Sequence, residues 1–181
     1  IKQNATNIDQ FKLSAMDDAS IEKLLGEIHA KYSNIAGLTI FANSDAAESV
    51  QHFINEDSLQ INQLAFLLAK HLQPDLNLYH EQYRNSFVTV VQNDGSFGQV
   101  NANTSDPLAG GLSGLVKTLS LEWPTVLCRS VDFAKESSIE AMVQKTIQEI
   151  LDPNLAVREV GYVDGKRVTL DAQRQFSGGK A

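Results

Sequence analysis

Along the chain, short β-rich apolar runs alternate with longer stretches whose apolar residues recur every three or four positions, the pattern of an α/β sheet built from crossover units. The first helix is predicted to start at the acidic pair Asp17-Asp18, either of which can cap it. It carries Ile21, Leu24, Leu25, Ile28 and Tyr32 on one face and ends near Ser33-Asn34. Ile35 to Asn43 reads as a strand, with Leu38, Ile40 and Phe41 in a nearly continuous apolar run of the kind buried on both faces of a parallel sheet. Helical spacing follows from about Asp45 to Asn55 and again from Ser58 to Leu72, where Ile61, Leu64, Ala65, Phe66, Leu67, Leu68 and Ala69 leave almost no polar face. Gln73-Pro74-Asp75 is expected to close this helix, since the residue before a proline avoids the α region. Leu76 to Arg84 fits either a helical turn or an irregular link.

Phe87 to Val91 is an aromatic and β-branched strand ending in the turn signal Asn93-Asp94-Gly95. A third helix spans about Pro107 to Trp123, with Leu108, Leu112, Leu115, Val116 and Leu119 at helical spacing. Pro107 suits its first turn and Pro124 stops it. Val126 to Phe133 is another strand. A fourth long helix sets Ile139, Met142, Val143, Ile147, Ile150 and Leu151 in register before Asp152-Pro153. Ala156 to Tyr162 and Arg167 to Leu170 read as strands around a tight Val163-Asp164-Gly165 turn. Residues 1–172 form one domain on this reading, and 173–181, with Ser177-Gly178-Gly179, a frayed end or linker.

Composition narrows the classes. With 181 residues, 43% hydrophobic and 20% charged, the chain can bury a core of its own and is neither a disordered tail nor a disulfide-stapled mini-protein. Twenty-two acidic against 15 basic residues give a net charge of -7, which repels phosphate backbones and argues against a nucleic-acid partner. No window is apolar enough to cross a membrane. Ile1 to Gln10 carries Asn, Gln and Asp where a signal peptide needs an unbroken apolar stretch. The single Cys128 cannot pair internally, and a reducing, cytoplasmic setting is expected.

Candidate chemistry is sparse. Glu48, His52 and Glu56 stand four apart on a helix and could offer metal ligands on one face, or simply form a solvated face, since no second His pair or cysteine set completes a site. Tyr79, His80, Tyr83 and Arg84 could serve acid and base chemistry or be loop and surface residues. Gly110, Gly111 and Gly114 fall inside a helix, where they favour close packing rather than a phosphate cradle, and no nucleotide-binding glycine fingerprint occurs anywhere. Cys128 lies in an apolar strand and reads as a structural thiol.

The segment Gly111-Leu-Ser-Gly-Leu-Val-Lys-Thr-Leu-Ser-Leu-Glu-Trp123 resembles the helix after the active site of short-chain dehydrogenase/reductases, and Cys128-Arg-Ser-Val-Asp132 resembles their next strand. In the same order, Phe11 to Asp18 is similar to the family's third strand with its acidic exit. Gly37 to Ser44 is similar to the strand ending in an Asn-Asn-Ala-Gly motif, here degraded to Ala42-Asn43-Ser44, and Ile61-Asn62 to the start of its central helix. The resemblance implies a truncated Rossmann-like fold with a mostly parallel sheet. Carried over by spacing, the family's catalytic tyrosine falls on Ser105 and its lysine on Ala109. A serine hydroxyl is a far weaker acid than a phenol, and alanine has no charge to offer. Ser96 stands where the substrate-orienting serine would, and reads equally as a turn residue. Upstream of Phe11 there is no room for the family's first strands and glycine-rich cofactor turn.

This pattern, closed by Arg158-Glu-Val-Gly-Tyr-Val-Asp-Gly-Lys-Arg167, is similar to the structural subdomain of ketoreductases in modular polyketide synthases and polyunsaturated fatty acid synthases, with a lean toward the latter. What the resemblance implies is a non-catalytic subdomain with no catalytic, cofactor or metal residues of its own. It would stabilise a catalytic ketoreductase subdomain of the same polypeptide, where NADPH and β-ketoacyl reduction belong, and meet acyl carrier protein only indirectly. A divergent NAD(P)-dependent short-chain reductase and an acyl-carrier docking module are the alternatives.

Overall fold

A computed structural model describes residues 9–42, 56–78, 84–99 and 108–171. In chain order the elements are α1 (Asp18–Lys31), β1 (Gly37–Ala42), α2 (Glu56–Leu76), β2 (Ser86–Asn93), α3 (Ala109–Glu122), β3 (Leu127–Ala134), α4 (Ile139–Leu151), β4 (Glu159–Val163) and β5 (Lys166–Thr169). The sheet runs β1-β2-β3-β4-β5; the first four strands are parallel and β5 returns antiparallel to β4. The hairpin between them turns on Asp164 and Gly165, with φ of 48° and 72°. Two positive φ values match the right-handed twist of the strands, which is why Asp-Gly sits there.

Local chemistry sets the helix ends. Asp17, in extended backbone, accepts from the Ser20 amide at 2.7 Å and caps α1. Phe11 to Asp18 is therefore not a strand with an acidic exit, as the resemblance implied. It is an irregular lead-in whose Leu13 packs on the core and whose acid caps a helix. Helix α2 also departs from expectation by running through Pro74 to Leu76. Buried Asn85 explains the extra turn: its side-chain amide donates to the carbonyls of Asp75, Leu76 and Leu78 at 3.2, 3.0 and 2.9 Å, satisfying helix-end acceptors that would otherwise be orphaned. The segment 45–55 and the tail 173–181 lie outside the described residues. Among the described residues no helix is long and apolar enough to cross a membrane.

The sheet divides the core in two. Phe87, Val91, Ile40 and Cys128 pack with Ile21 and Leu25 of α1, Ala65, Ala69 and Leu72 of α2, and Leu112, Val116 and Leu119 of α3. On the other face Val88, Val90, Leu127, Val131, Phe133, Val160 and Tyr162 pack with Met142 and Ile150 of α4. Strands β1 to β4 all step in one direction across the sheet, so α4, alone on its face among the described helices, makes a β3-α4-β4 crossover opposite in hand to the two before it. Parallel crossovers are right-handed in about 98% of cases. The last one is the exception and must be held by something specific.

That restraint is Arg129, 0% exposed near the start of β3 on the α4 side. Its guanidinium donates to the Glu149 carbonyl (2.9 Å) and carboxylate (2.7 Å), the Asp152 carboxylate (3.0 Å), and the carbonyls of Val157 (3.0 Å) and Asn154 (2.5 Å). One fixed fork thus grips the end of α4 and the whole connection to β4. Arg167 of β5 donates to Glu149 at 2.7 Å, and the Tyr162 hydroxyl does so at 2.5 Å. Burial alone would push the Glu149 carboxyl up, but the bonds from Arg167 and Tyr162 hold it below its usual range. Replacing Arg129→Ala removes one charged partner of buried Glu149 and leaves the carbonyls of Glu149, Asn154 and Val157 without their shared donor. A loss of about 3–5 kcal/mol is expected in urea denaturation, whereas a surface substitution such as Lys117→Ala should cost under about 1 kcal/mol. A loss below 1 kcal/mol for Arg129→Ala would show that the guanidinium does not hold the crossover.

Candidate functional site

In open α/β sheets ligands bind beyond the carboxyl ends of the strands, and here the ends of β2, β3 and β4 converge on one short loop. Residues 93–98, Asn-Asp-Gly-Ser-Phe-Gly, take positive φ at Gly95 (74°), Phe97 (56°) and Gly98 (80°). The cause is Asp94, whose carboxylate accepts from the amides of Ser96 (2.8 Å) and Gly98 (2.9 Å) and from the Ser96 hydroxyl (2.7 Å), winding the chain around itself. Asp132, fully buried near the end of β3, accepts from the amides of Asn93 (3.0 Å) and Phe97 (2.8 Å). The loop is thereby pulled across the strand ends, where Asp94 also bridges to Ala134.

Backbone meets backbone at this closure. A Cβ at Gly95 would strike the Tyr162 carbonyl, and one at Gly161 of β4 would strike the Gly95 carbonyl. The two glycines fit only because neither has a side chain. Burial pushes the Asp132 carboxyl up to about 6; the Phe97 amide opposes this, and a hydrogen bond with Asp94 adds to it. Asp132 is also sealed: it has no surface a substrate could reach.

Ser96, at the position of the family's substrate-orienting serine, is buried and committed to Asp94, so the structure favours the turn reading. Ala109 is the first residue of α3. Ser105, Tyr79, His80, Tyr83, Glu48 and His52 lie outside the described residues. Arg84 is not poised for chemistry; it donates to the carbonyls of Ile150 and Asp152 at the end of α4. Glu56 is exposed in the first turn of α2, and among the described residues no group of three His, Cys, Asp or Glu could hold a metal ion. Cys128 is buried and its thiol is pushed up to about 12 by desolvation, which removes the thiolate a nucleophile needs. Gly110, Gly111 and Gly114 all sit inside α3, and Gly111 does serve close packing: a Cβ there would run into Asn62 of α2.

Two connectors escaped the sequence reading. The Asn62 amide donates to the carbonyls of Ser58 (2.7 Å) and Leu108 (2.8 Å), tying α2 to the chain entering α3. An asparagine inside an apolar helix, with a glycine available elsewhere to receive it, was the available signal. Asp132 was the other, an acid buried where the β3 pattern asked for a hydrophobe.

The Asp132 carboxyl makes stability depend on pH in a defined sense. A folded-state carboxyl raised to about 6 from 3.8 binds more protons than the unfolded chain between those values, so its contribution is present below about pH 4 and is lost as pH rises through about 6. Glu149 and Asp152, both held low, work in the opposite direction as pH falls. The comparison with Asp132→Asn isolates the effect. The variant should gain about 2–3 kcal/mol relative to wild type between pH 4 and pH 7 in urea titrations, and parallel pH profiles would show that the Asp132 carboxyl is not raised by its burial. Gly161→Ala should independently destabilise by more than about 1 kcal/mol.

No protein-family profile matches this chain, and neither does any curated protein. Solved structures match its fold. The Pseudomonas aeruginosa RhlG/NADP active-site complex superposes with a TM-score of 0.53 at 15% identity, over 80% of this chain and 57% of that one. The 3-ketoacyl-(acyl-carrier-protein) reductase from Brucella melitensis complexed with NADH gives 0.50 at 13% identity, over 66% and 52%. Ribose-5-phosphate isomerase from Brucella melitensis 16M gives 0.50 at 17%, over 68% and 49%. The chain spans about half the length of these structures. What it shares with them is the fold, a Rossmann-like α/β sheet that is mostly parallel and flanked by helices.

Proposed function

We propose that this chain is the non-catalytic structural subdomain of a ketoreductase in a polyketide or polyunsaturated fatty acid synthase, bracing a catalytic subdomain of the same cytoplasmic polypeptide. The carrying observation is the closed strand-end loop. Asp94, Asp132 and the Gly95-Gly161 contact close that loop over the carboxyl ends of β2, β3 and β4, the side of an open α/β sheet on which ligands bind, which supports this reading. The sequence supports the same reading, because Ser105 and Ala109 stand at the positions of the tyrosine and lysine that a short-chain reductase needs. On this reading NADPH, the catalytic tyrosine and the β-ketoacyl thioester belong to the partner subdomain, and acyl carrier protein is met through it.

Calorimetric titration of NADPH into the isolated chain, with a β-ketoacyl thioester assay beside it, tests the proposal. The expected outcome is no saturable binding in the micromolar range and no turnover. Micromolar binding, or turnover abolished by Tyr79→Phe or Tyr83→Phe, would instead identify a divergent reductase and overturn the bracing role.

A further inference from the structure

The chain carries two Asp-Gly steps, Asp94-Gly95 and Asp164-Gly165, and both glycines take a positive φ, 74° and 72°. An Asp-Gly step is the least hindered place for a side-chain carboxyl to react with its own backbone, because the amide that attacks it belongs to a residue without a Cβ. Whether the reaction proceeds then depends on the freedom of the carboxyl to turn toward that amide. The fold gives the two steps opposite surroundings.

At Asp94 the carboxylate is held. It accepts from the Ser96 amide and hydroxyl and from the Gly98 amide, the residue is buried, and Gly95 is wedged against the Tyr162 carbonyl. Asp164 is exposed at the tip of the β4-β5 hairpin, and among the described residues no hydrogen bond or ion pair engages its carboxylate. Nothing stands within 4 Å of the place a Gly165 Cβ would take. Val163 and Lys166 close the turn as its bonded pair, which leaves the Gly165 amide outside the ladder. Asp164 also has a φ of 48°, a left-handed backbone that a residue with a side chain adopts at a cost.

We infer that Asp164 is a site of spontaneous conversion to isoaspartate, and that the conversion is transmitted through β5 to the Glu149 cluster. The Gly165 nitrogen bonds to the side-chain carbonyl carbon of Asp164; the nitrogen gives up its proton, the carboxyl gives up an oxygen, and one water leaves as a five-membered imide closes. One water then reopens the ring. Opening at the side-chain carbonyl restores aspartate, whereas opening at the backbone carbonyl leaves the chain running through Cβ, with no net change in mass. Water is the only co-reactant.

The register of a hairpin follows from the length of its turn, and isoaspartate adds one backbone atom to this two-residue loop. Strand β5 is exposed at all four positions, so besides its ladder to β4 it is fixed by Arg167, which bonds the Glu149 carboxylate at 2.7 and 3.0 Å and Asp152 at 3.3 Å. A lengthened turn displaces Lys166–Thr169 along β4 and withdraws that guanidinium from Glu149. The inference goes beyond the bracing role and does not rest on it.

The folded chain is aged at neutral pH, and its peptides are sequenced by fragmentation that separates Cα from Cβ linkage. Methyl transfer from labelled S-adenosylmethionine by an isoaspartyl methyltransferase counts the product independently. Isoaspartate is expected at residue 164 and at least about tenfold more slowly at residue 94, since releasing even one hydrogen bond to a charged carboxylate costs that factor. In urea the two rates converge. Equal rates in the folded chain, or no isoaspartate at 164, overturn the site. The aged chain is also expected to lose amide protection in β5 and to be cut by trypsin at Lys166 and Arg167. Aged Asp164→Gly, which keeps a turn suited to positive φ but has no carboxyl, should match fresh wild type. Isoaspartate at 164 with β5 protection unchanged, or an aged Asp164→Gly that loses it too, overturns the link to Arg167.

Discussion

A single guanidinium decides how the second half of this molecule is arranged. Helices α2 and α3 follow from strand order and the usual hand of crossovers, but α4 lies on the other face against that hand. Arg129 makes this possible because five donors on one rigid plane meet acceptors from the end of α4 and from the connection to β4. A lysine at the same place would present one point charge to acceptors spread over residues 149–157. Glu149, with Tyr162 and Arg167 on its other side, carries the grip onward to β4 and β5, so two short strands with little core of their own are tied to the long central one.

The elements that periodicity revealed were those whose apolar residues face one neighbour. The α1 stripe of Ile21 and Leu25, the α3 stripe of Leu112, Val116 and Leu119, and the β2 and β3 runs all reappear as core. Where the reading failed, a polar side chain acting at a distance had intervened. Pro74 stops a helix in isolation, but Asn85, eleven residues on, supplies the donor that carries α2 past it. Asp17 caps α1 as its place before the apolar stripe predicted, and it is the resemblance of Phe11 to Asp18 to a strand with an acidic exit that fails. The face on which α4 lies was invisible, since its spacing is the same on either side of the sheet.

Ser105 and Ala109 were legible in the sequence at the positions of the family's tyrosine and lysine, whereas the packing of the strand-end loop was not. Here the polar groups at the strand ends are spent on one another: Ser96 on Asp94, the amides of Asn93 and Phe97 on Asp132, and Gly95 against Gly161. The sequence hinted at this only through two isolated glycines and two acids, 38 positions apart, whose adjacency depends on the β2-β3 register.

Arg129 also bears on the chain while it is being made. As synthesis proceeds from the N-terminus, β1 to β3 can assemble with α2 and α3 before α4 exists, which leaves Val88, Val90, Val131 and Phe133 bare on one face. A charged residue in the middle of that nascent apolar surface keeps it hydrated and discourages another chain from stacking on it. Only when residues 149–157 arrive does the same side chain gain acceptors, and the guard of the half-made sheet becomes the anchor of the finished one.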